Sequence, residues 1–185
     1  IDEFLVLDPL IKVSLNDYLS SDFKSSSLSG LGLDVGQHTT LEGPIDLSKP
    51  FLSQRAFAQV SDRYTKPVIA LKPLEWGSGF HRIKGKNFTI DPNLFLFHFG
   101  LVDYFKAKEN FKNQQLLSSG WKDHFDRRFL LFEILKTQDP HEGDYFFKKA
   151  RMYFTERRKW YAWNKPATLK GNTLVRIPQR FETLV

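Results

Sequence analysis

Cysteine is absent from the 185 residues, which removes disulfide frameworks, thiolate metal sites and cysteine nucleophiles together. No apolar run approaches the roughly 18 residues needed to span a bilayer, and no stretch has the pattern of a cleaved signal. There is no internal repeat, and no low-complexity tract beyond Ser25-Ser26-Ser27. Methionine is missing from the first position: the chain opens in mid-pattern with Ile1-Asp-Glu-Phe-Leu-Val-Leu7, as a segment of a longer protein would.

What is present is ample for a core. Hydrophobic residues make up 41% of the chain and aromatic residues 15%, with 18 Phe, inside the globular range and outside the disordered one. The length suits one well-buried domain with an extension. The net charge of +6 is unevenly spread: residues 1–100 carry 10 basic and 11 acidic side chains, residues 101–185 carry 17 and 10. From Lys148 to Arg180 there are ten Lys/Arg against Glu156 alone, interleaved with Trp160, Tyr161 and Trp163. Such a stretch suits phosphates, nucleic acid or an anionic membrane surface.

Periodicity sets out the elements. Phe4–Leu7 reads as a short strand stopped by Pro9, and Ser14 with Asp17 three residues on caps a short helix. Leu28–Thr40, rich in Gly, reads as a bent strand, and Glu42–Pro50 as a loop. Gln54–Val60 fits helix or strand equally. Lys66–Leu71 is a strand with Pro67 at its start. Leu94-Phe-Leu-Phe-His98 is bulky at every position, so it reads as a central strand covered on both faces and closed by a histidine. From Val102 the texture is helical, with Phe125, Phe129, Phe132 and Leu135 on one face, followed by a second helix over about 142–160 and a strand or extended arm at 173–177.

Two histidines carry the chemical interest. His98 ends a central strand, where ligands collect in open α/β sheets; a core histidine bonded to backbone is the competing interpretation. His81 follows Trp76-Gly-Ser-Gly-Phe in a loop able to lie against a ligand. Asp2-Glu3 adds two carboxylates, and carboxylate plus imidazole is a donor set for a borderline divalent metal. His38, His124 and His141 read as surface or loop residues.

Asp2-Glu3-Phe4-Leu5 with Asp8-Pro9, Gln54-Arg55, Lys66-Pro67-Val-Ile, Trp76-Gly-Ser-Gly-Phe-His81 and Asp91-Pro92-Asn-Leu-Phe-Leu-Phe-His98 with Asp103-Tyr104 together resemble the second half of bacterial glycosyltransferases of the family-2-like, GT-A type. The resemblance covers about residues 1–104. It implies an α/β fold, an incomplete GT-A-like mixed sheet followed by C-terminal helices, with 1–104 as the C-terminal half of the catalytic domain and 105–185 as a basic, aromatic helical extension. In that family an Asp-x-Asp-Glu-Phe element binds a divalent metal and the diphosphate of a nucleotide sugar. The first Asp of that motif would precede Ile1.

The resemblance therefore implies Mn²⁺ or Mg²⁺ held by Asp2, with His98 or His81 as the later histidine. Glu3, Trp76 and Arg55 would contact the donor. Glu75 and Asp103 are the candidate catalytic bases, and the reading does not choose between them. The implied activity is sugar transfer to a glycan or lipid-linked acceptor in polysaccharide biosynthesis, in the cytoplasm and peripherally at the inner membrane face through residues 148–180. The alternatives are a nucleic-acid-binding module built on the same cations and aromatics, and a non-catalytic interaction domain.

Overall fold

The computed structural model describes residues 2–77, 80–84, 90–156, 163–164 and 166–184. The chain is α/β, with a seven-stranded mixed sheet between two long helices. Strand β1 (Glu3–Leu7) is followed by a one-turn helix α1 (Leu15–Leu19), which Ser14 caps by accepting from the Asp17 amide. The long strand β2 (Ser27–Gly36) leads through a loop to β3 (Phe57–Val60), so the second half of the ambiguous Gln54–Val60 stretch is strand, and to β4 (Pro67–Ala70). A two-residue strand β5 (Ile83–Lys84) precedes β6 (Ile90–His98).

The helical half contains α2 (Tyr104–Asn110), a single turn α3 (Gln114–Leu116), α4 (Lys122–Thr137) and α5 (Gly143–Glu156), with β7 (His141–Glu142) between the last two. β8 (Trp163–Asn164) pairs with β5, and β9 (Leu174–Arg176) completes the large sheet. The sheet order is β1-β6-β2-β3-β9-β7, with β4 pairing to the first part of β2. β6 and β2 are parallel, as are β9 and β7; the remaining pairs of the large sheet are antiparallel.

Alternation along the strands separates two cores, because successive side chains leave a strand on opposite faces. Leu31, Leu33 and Val35 of β2 and Phe95 and Phe97 of β6 join Phe146, Phe147, Ala150 and Phe154 of α5 in the larger core. On the other face Leu131 and Leu135 of α4 meet Phe57 and Leu174. There β2 presents Gly32, Asp34 and Gly36 instead of large apolar residues. A Cβ on Gly32 would stand 2.3 Å from the Tyr64 carbonyl carbon, and one on Gly36 2.7 Å from Leu135. The glycines therefore let the turn around Tyr64 and helix α4 come down onto the sheet.

The expected boundary at 104/105 does not divide the structure. β9 pairs with β3, and the larger core runs from Val6 to Phe181. The segment expected as a helical extension supplies two strands of the same sheet, since β3 would otherwise present an open edge.

Candidate functional site

β6 is bulky throughout because both its faces are covered, and His98 emerges at its carboxyl end on the face opposite α5. Parallel pairing sets His98 directly against Asp34 of β2, and antiparallel pairing sets it against Glu3 of β1. His98 is 8% exposed. Its Nδ1 donates to Asp34 Oδ1 at 2.8 Å. The same carboxylate oxygen accepts from Arg128 Nη2 at 2.7 Å, while Arg128 Nη1 donates to the Val35 carbonyl at 2.7 Å. The Tyr64 ring lies flat on the imidazole, with centroids 3.8 Å apart and planes 16° off parallel. Gly100 leaves room beside the imidazole, where a Cβ would come within 2.6 Å of the ring.

This arrangement fixes the ring and its tautomer. With Nδ1–H committed to a carboxylate, the neutral ring keeps a lone pair on Nε2. Nε2 faces Asp2, whose Oδ2 is 3.5 Å away and whose side chain is 65% exposed. That separation is long for a hydrogen bond and short enough for both atoms to reach one cation. Asp2 is itself anchored through its carbonyl, which accepts from the Phe99 amide at 2.7 Å.

Both groups line a cleft of about 970 Å³ that also takes in Glu3, Asp62, Tyr64, His81 and His124. Glu3 is paired with Lys66 at 2.8 Å. Lys66 Nζ lies 3.4 Å from His81 Nδ1, and an ammonium only donates, so His81 accepts there and its Nε2 carries the proton. Burial first, and then the Lys66 charge, hold the His81 imidazole below its ordinary pKa. His124 is lowered likewise, by burial and by the Arg127 and Arg63 charges. Burial pushes the Tyr64 phenol up, so it stays protonated.

The expected residues divide. Asp2, Glu3, His81 and His98 come together in the cleft, although His81 is held by Lys66 and stands apart from the Asp2/His98 pair. Arg55 does not reach it: the side chain is wholly buried and donates to the carbonyls of Val102, Gly43 and Gln54. Asp103 is the cap of α2, accepting from the Lys106 amide at 3.0 Å and the Ile45 amide at 3.1 Å. Its oxygens are spent on these backbone amides and on an ion pair with Arg55 at 3.8 Å. Glu75 is an exposed partner of Lys84 at 3.3 Å. Trp76 bridges to Ile83 and meets Phe80 edge-on, one residue from Gly77 of the cleft wall. His124, expected as an ordinary surface residue, is exposed and lines the cleft. Asp34, Tyr64 and Arg128 went unread, because their relation to His98 is made by sheet register and by helix packing rather than by local spacing.

The basic C-terminal stretch is partly consumed by the fold. Arg151 donates to the Asp91 and Leu94 carbonyls, Arg180 pairs with Asp8 and Asp144, and Arg176 lies over Phe57. Lys148 and Lys149 are exposed. Residues 157–162 and 165, and the side chain of Trp163, lie outside the described residues.

No protein-family model, curated protein or solved structure matches the chain. The function is therefore argued from the chemistry of the cleft. Among the described residues no three His, Asp or Glu side chains form a ready-made metal cage. The Asp2/His98 pair supplies two donors, one an imidazole oriented from behind by a carboxylate, an arrangement that recurs at metal-ligating histidines. Carboxylate and imidazole together suit Mn²⁺, and Mg²⁺ less well because it favours oxygen. Among the described residues no helix is long and apolar enough to cross a membrane.

Proposed function

We propose that the chain carries the acceptor-side half of a metal-dependent glycosyltransferase site, moving a sugar from a nucleotide-diphosphate sugar to a glycan or lipid-linked acceptor. The observation that supports it is the meeting of Asp2 and His98. The resemblance pairs these two residues as ligands although 96 positions separate them, and adjacent strands bring them within 3.5 Å at the wall of one large cleft.

In this reading Asp2 and His98 would hold the cation, and Asp34, Arg128 and Tyr64 hold His98. A divalent ion bound there would neutralise the departing nucleoside diphosphate. His81, protonated at Nε2, donates to a hydroxyl or phosphate oxygen of the ligand. Transfer breaks the bond between the anomeric carbon and the diphosphate oxygen, forms one to the acceptor oxygen, and requires a base for the acceptor proton. In this reading Asp62 takes that role in preference to Glu75 and Asp103. It lines the cleft and engages one oxygen, accepting from Thr168 at 3.2 Å.

The test is Mn²⁺ binding followed by electron paramagnetic resonance, with and without UDP or GDP, on the whole chain and on Asp2→Asn and His98→Asn. Binding strengthened by a nucleoside diphosphate and lost in both variants is expected. Identical Mn²⁺ spectra for the variants and the parent would sink the proposal.

A further inference from the structure

A second, smaller groove opens off the cleft, between the turn that carries Arg63 and Tyr64 and the exposed side of α4. Its volume is about 190 Å³, enough for one oxyanion and the atoms bonded to it. It shares Asp62, Arg63, Tyr64 and His124 with the main cleft and adds Arg127 and Arg128. The two spaces therefore adjoin at Tyr64, whose ring covers His98.

The charges in this groove do not cancel. Arg128 is spent on Asp34 and the Val35 carbonyl. Asp34 in turn is shared between Arg128 and His98. That leaves Arg63 and Arg127 facing Asp62, and among the described residues neither guanidinium has a hydrogen-bond or ion-pair partner. Two elements far apart in sequence, a turn and a helix, therefore aim unpaired guanidinium groups into one recess. Both charges also reach His124, whose imidazole is held below its ordinary pKa first by burial and then by Arg127 and Arg63. A guanidinium is a planar double donor matched to phosphate and carboxylate.

We propose that this groove is an oxyanion subsite, in which Arg63 and Arg127 bind a phosphate or carboxylate group carried by the acceptor. The inference rests on the glycosyltransferase reading for the word acceptor; the anion site itself does not. With the anion in the groove, the rest of the ligand leads past Asp62 into the main cleft, which places an acceptor hydroxyl beside the proposed base. It also separates two anionic ligands by chemistry: the donor diphosphate would meet Asp2 and His98 by way of a divalent cation, while the acceptor anion takes bare guanidinium groups and needs no metal.

Isothermal titration of the whole chain with inorganic phosphate and with glucuronate, in the presence of EDTA, tests this. Saturable binding of at least one is expected, and the stronger of the two names the source as a phosphate-bearing or a uronic-acid-bearing acceptor. Arg63→Gln/Arg127→Gln should weaken it by at least about tenfold. Both side chains are exposed, so the variant keeps its melting temperature. The charge-matched Lys148→Gln/Lys149→Gln on α5 should bind as the parent does. No binding of either anion, or equal loss in the two double variants, overturns the subsite. Phosphate binding that persists in a chain whose Mn²⁺ spectra ignore nucleoside diphosphates removes the glycosyltransferase reading and leaves the subsite standing.

Discussion

The two ends of strand β6 carry equally polar neighbourhoods and use them oppositely. At the start, Asp91 accepts from Tyr18, from the Asn93 amide and from the Leu94 amide. Arg151 closes over the Asp91 and Leu94 carbonyls and lies 4.4 Å above the Phe95 ring. Arg180 completes the group by pairing Asp8 at 2.8 Å with Asp144 at 2.8 Å. Donors and acceptors are matched, and the result is a clamp. At the other end Asp34, Arg128 and Tyr64 are arranged just as tightly, but the tightness serves to leave one atom, His98 Nε2, facing the cleft. Charge density does not distinguish a site from a clamp; an oriented group with valence left over does.

Four substitutions or conditions bear on that contrast. Arg180→Leu should cost the most, about 3 kcal/mol, because it strands the buried Asp8 carboxylate; urea unfolding reads the loss, and Mn²⁺ binding by the folded fraction should be unchanged. A loss of Mn²⁺ binding there would erase the distinction between the two ends. Gly32→Ala should cost about 1–3 kcal/mol, since its methyl group meets backbone atoms of Tyr64 and Thr65 that cannot move aside cheaply. Unlike Arg180→Leu, it should also weaken Mn²⁺ binding by displacing the Tyr64 ring. Tyr64→Leu should cost about 1 kcal/mol in stability, the worth of an aromatic stack, with a loosened His98 visible as a broadened imidazole resonance.

The smallest effect is of pH. His81 and His124 both have folded pKa values depressed below the ordinary 6.5. Folding therefore favours their neutral forms, so their contribution is present above about pH 6.5 and is lost as the pH falls through the lower folded values. The melting temperature should decline modestly between pH 7 and pH 5 beyond what His81→Gln/His124→Gln shows. An equal decline in that double variant would take the effect away from both histidines; the clamp's Asp144, held down by the Arg180 hydrogen bonds, loses its contribution only at still lower pH.

What the sequence made legible follows the range of the interactions. The bulky run ending at His98, the capped helix after Ser14 and the Pro67 strand are local patterns, and each appears as expected. The Asp103 cap was equally local, an Asp three residues before the Lys106 amide that it accepts from, yet its nearness to the histidine segments suggested chemistry instead. Arg55 misled for the reverse reason: it was expected against the donor, and only burial against three carbonyls shows it to be a strut. Asp34 lies 64 residues from His98 and Arg128 lies 94 from Asp34, so no spacing rule links them.

One feature of the sheet governs how the molecule comes into being. β9 is hydrogen-bonded between β3 and β7, and Gln59 reaches Thr173 across 114 positions. Synthesis delivers β3 long before its neighbour, so the strand waits with a bare edge while more than half the chain is made. The cleft wall formed by the turn after β3 matures only when the last strand arrives. Shortened chains ending before Leu174 should accumulate as aggregates rather than as weaker versions of the protein.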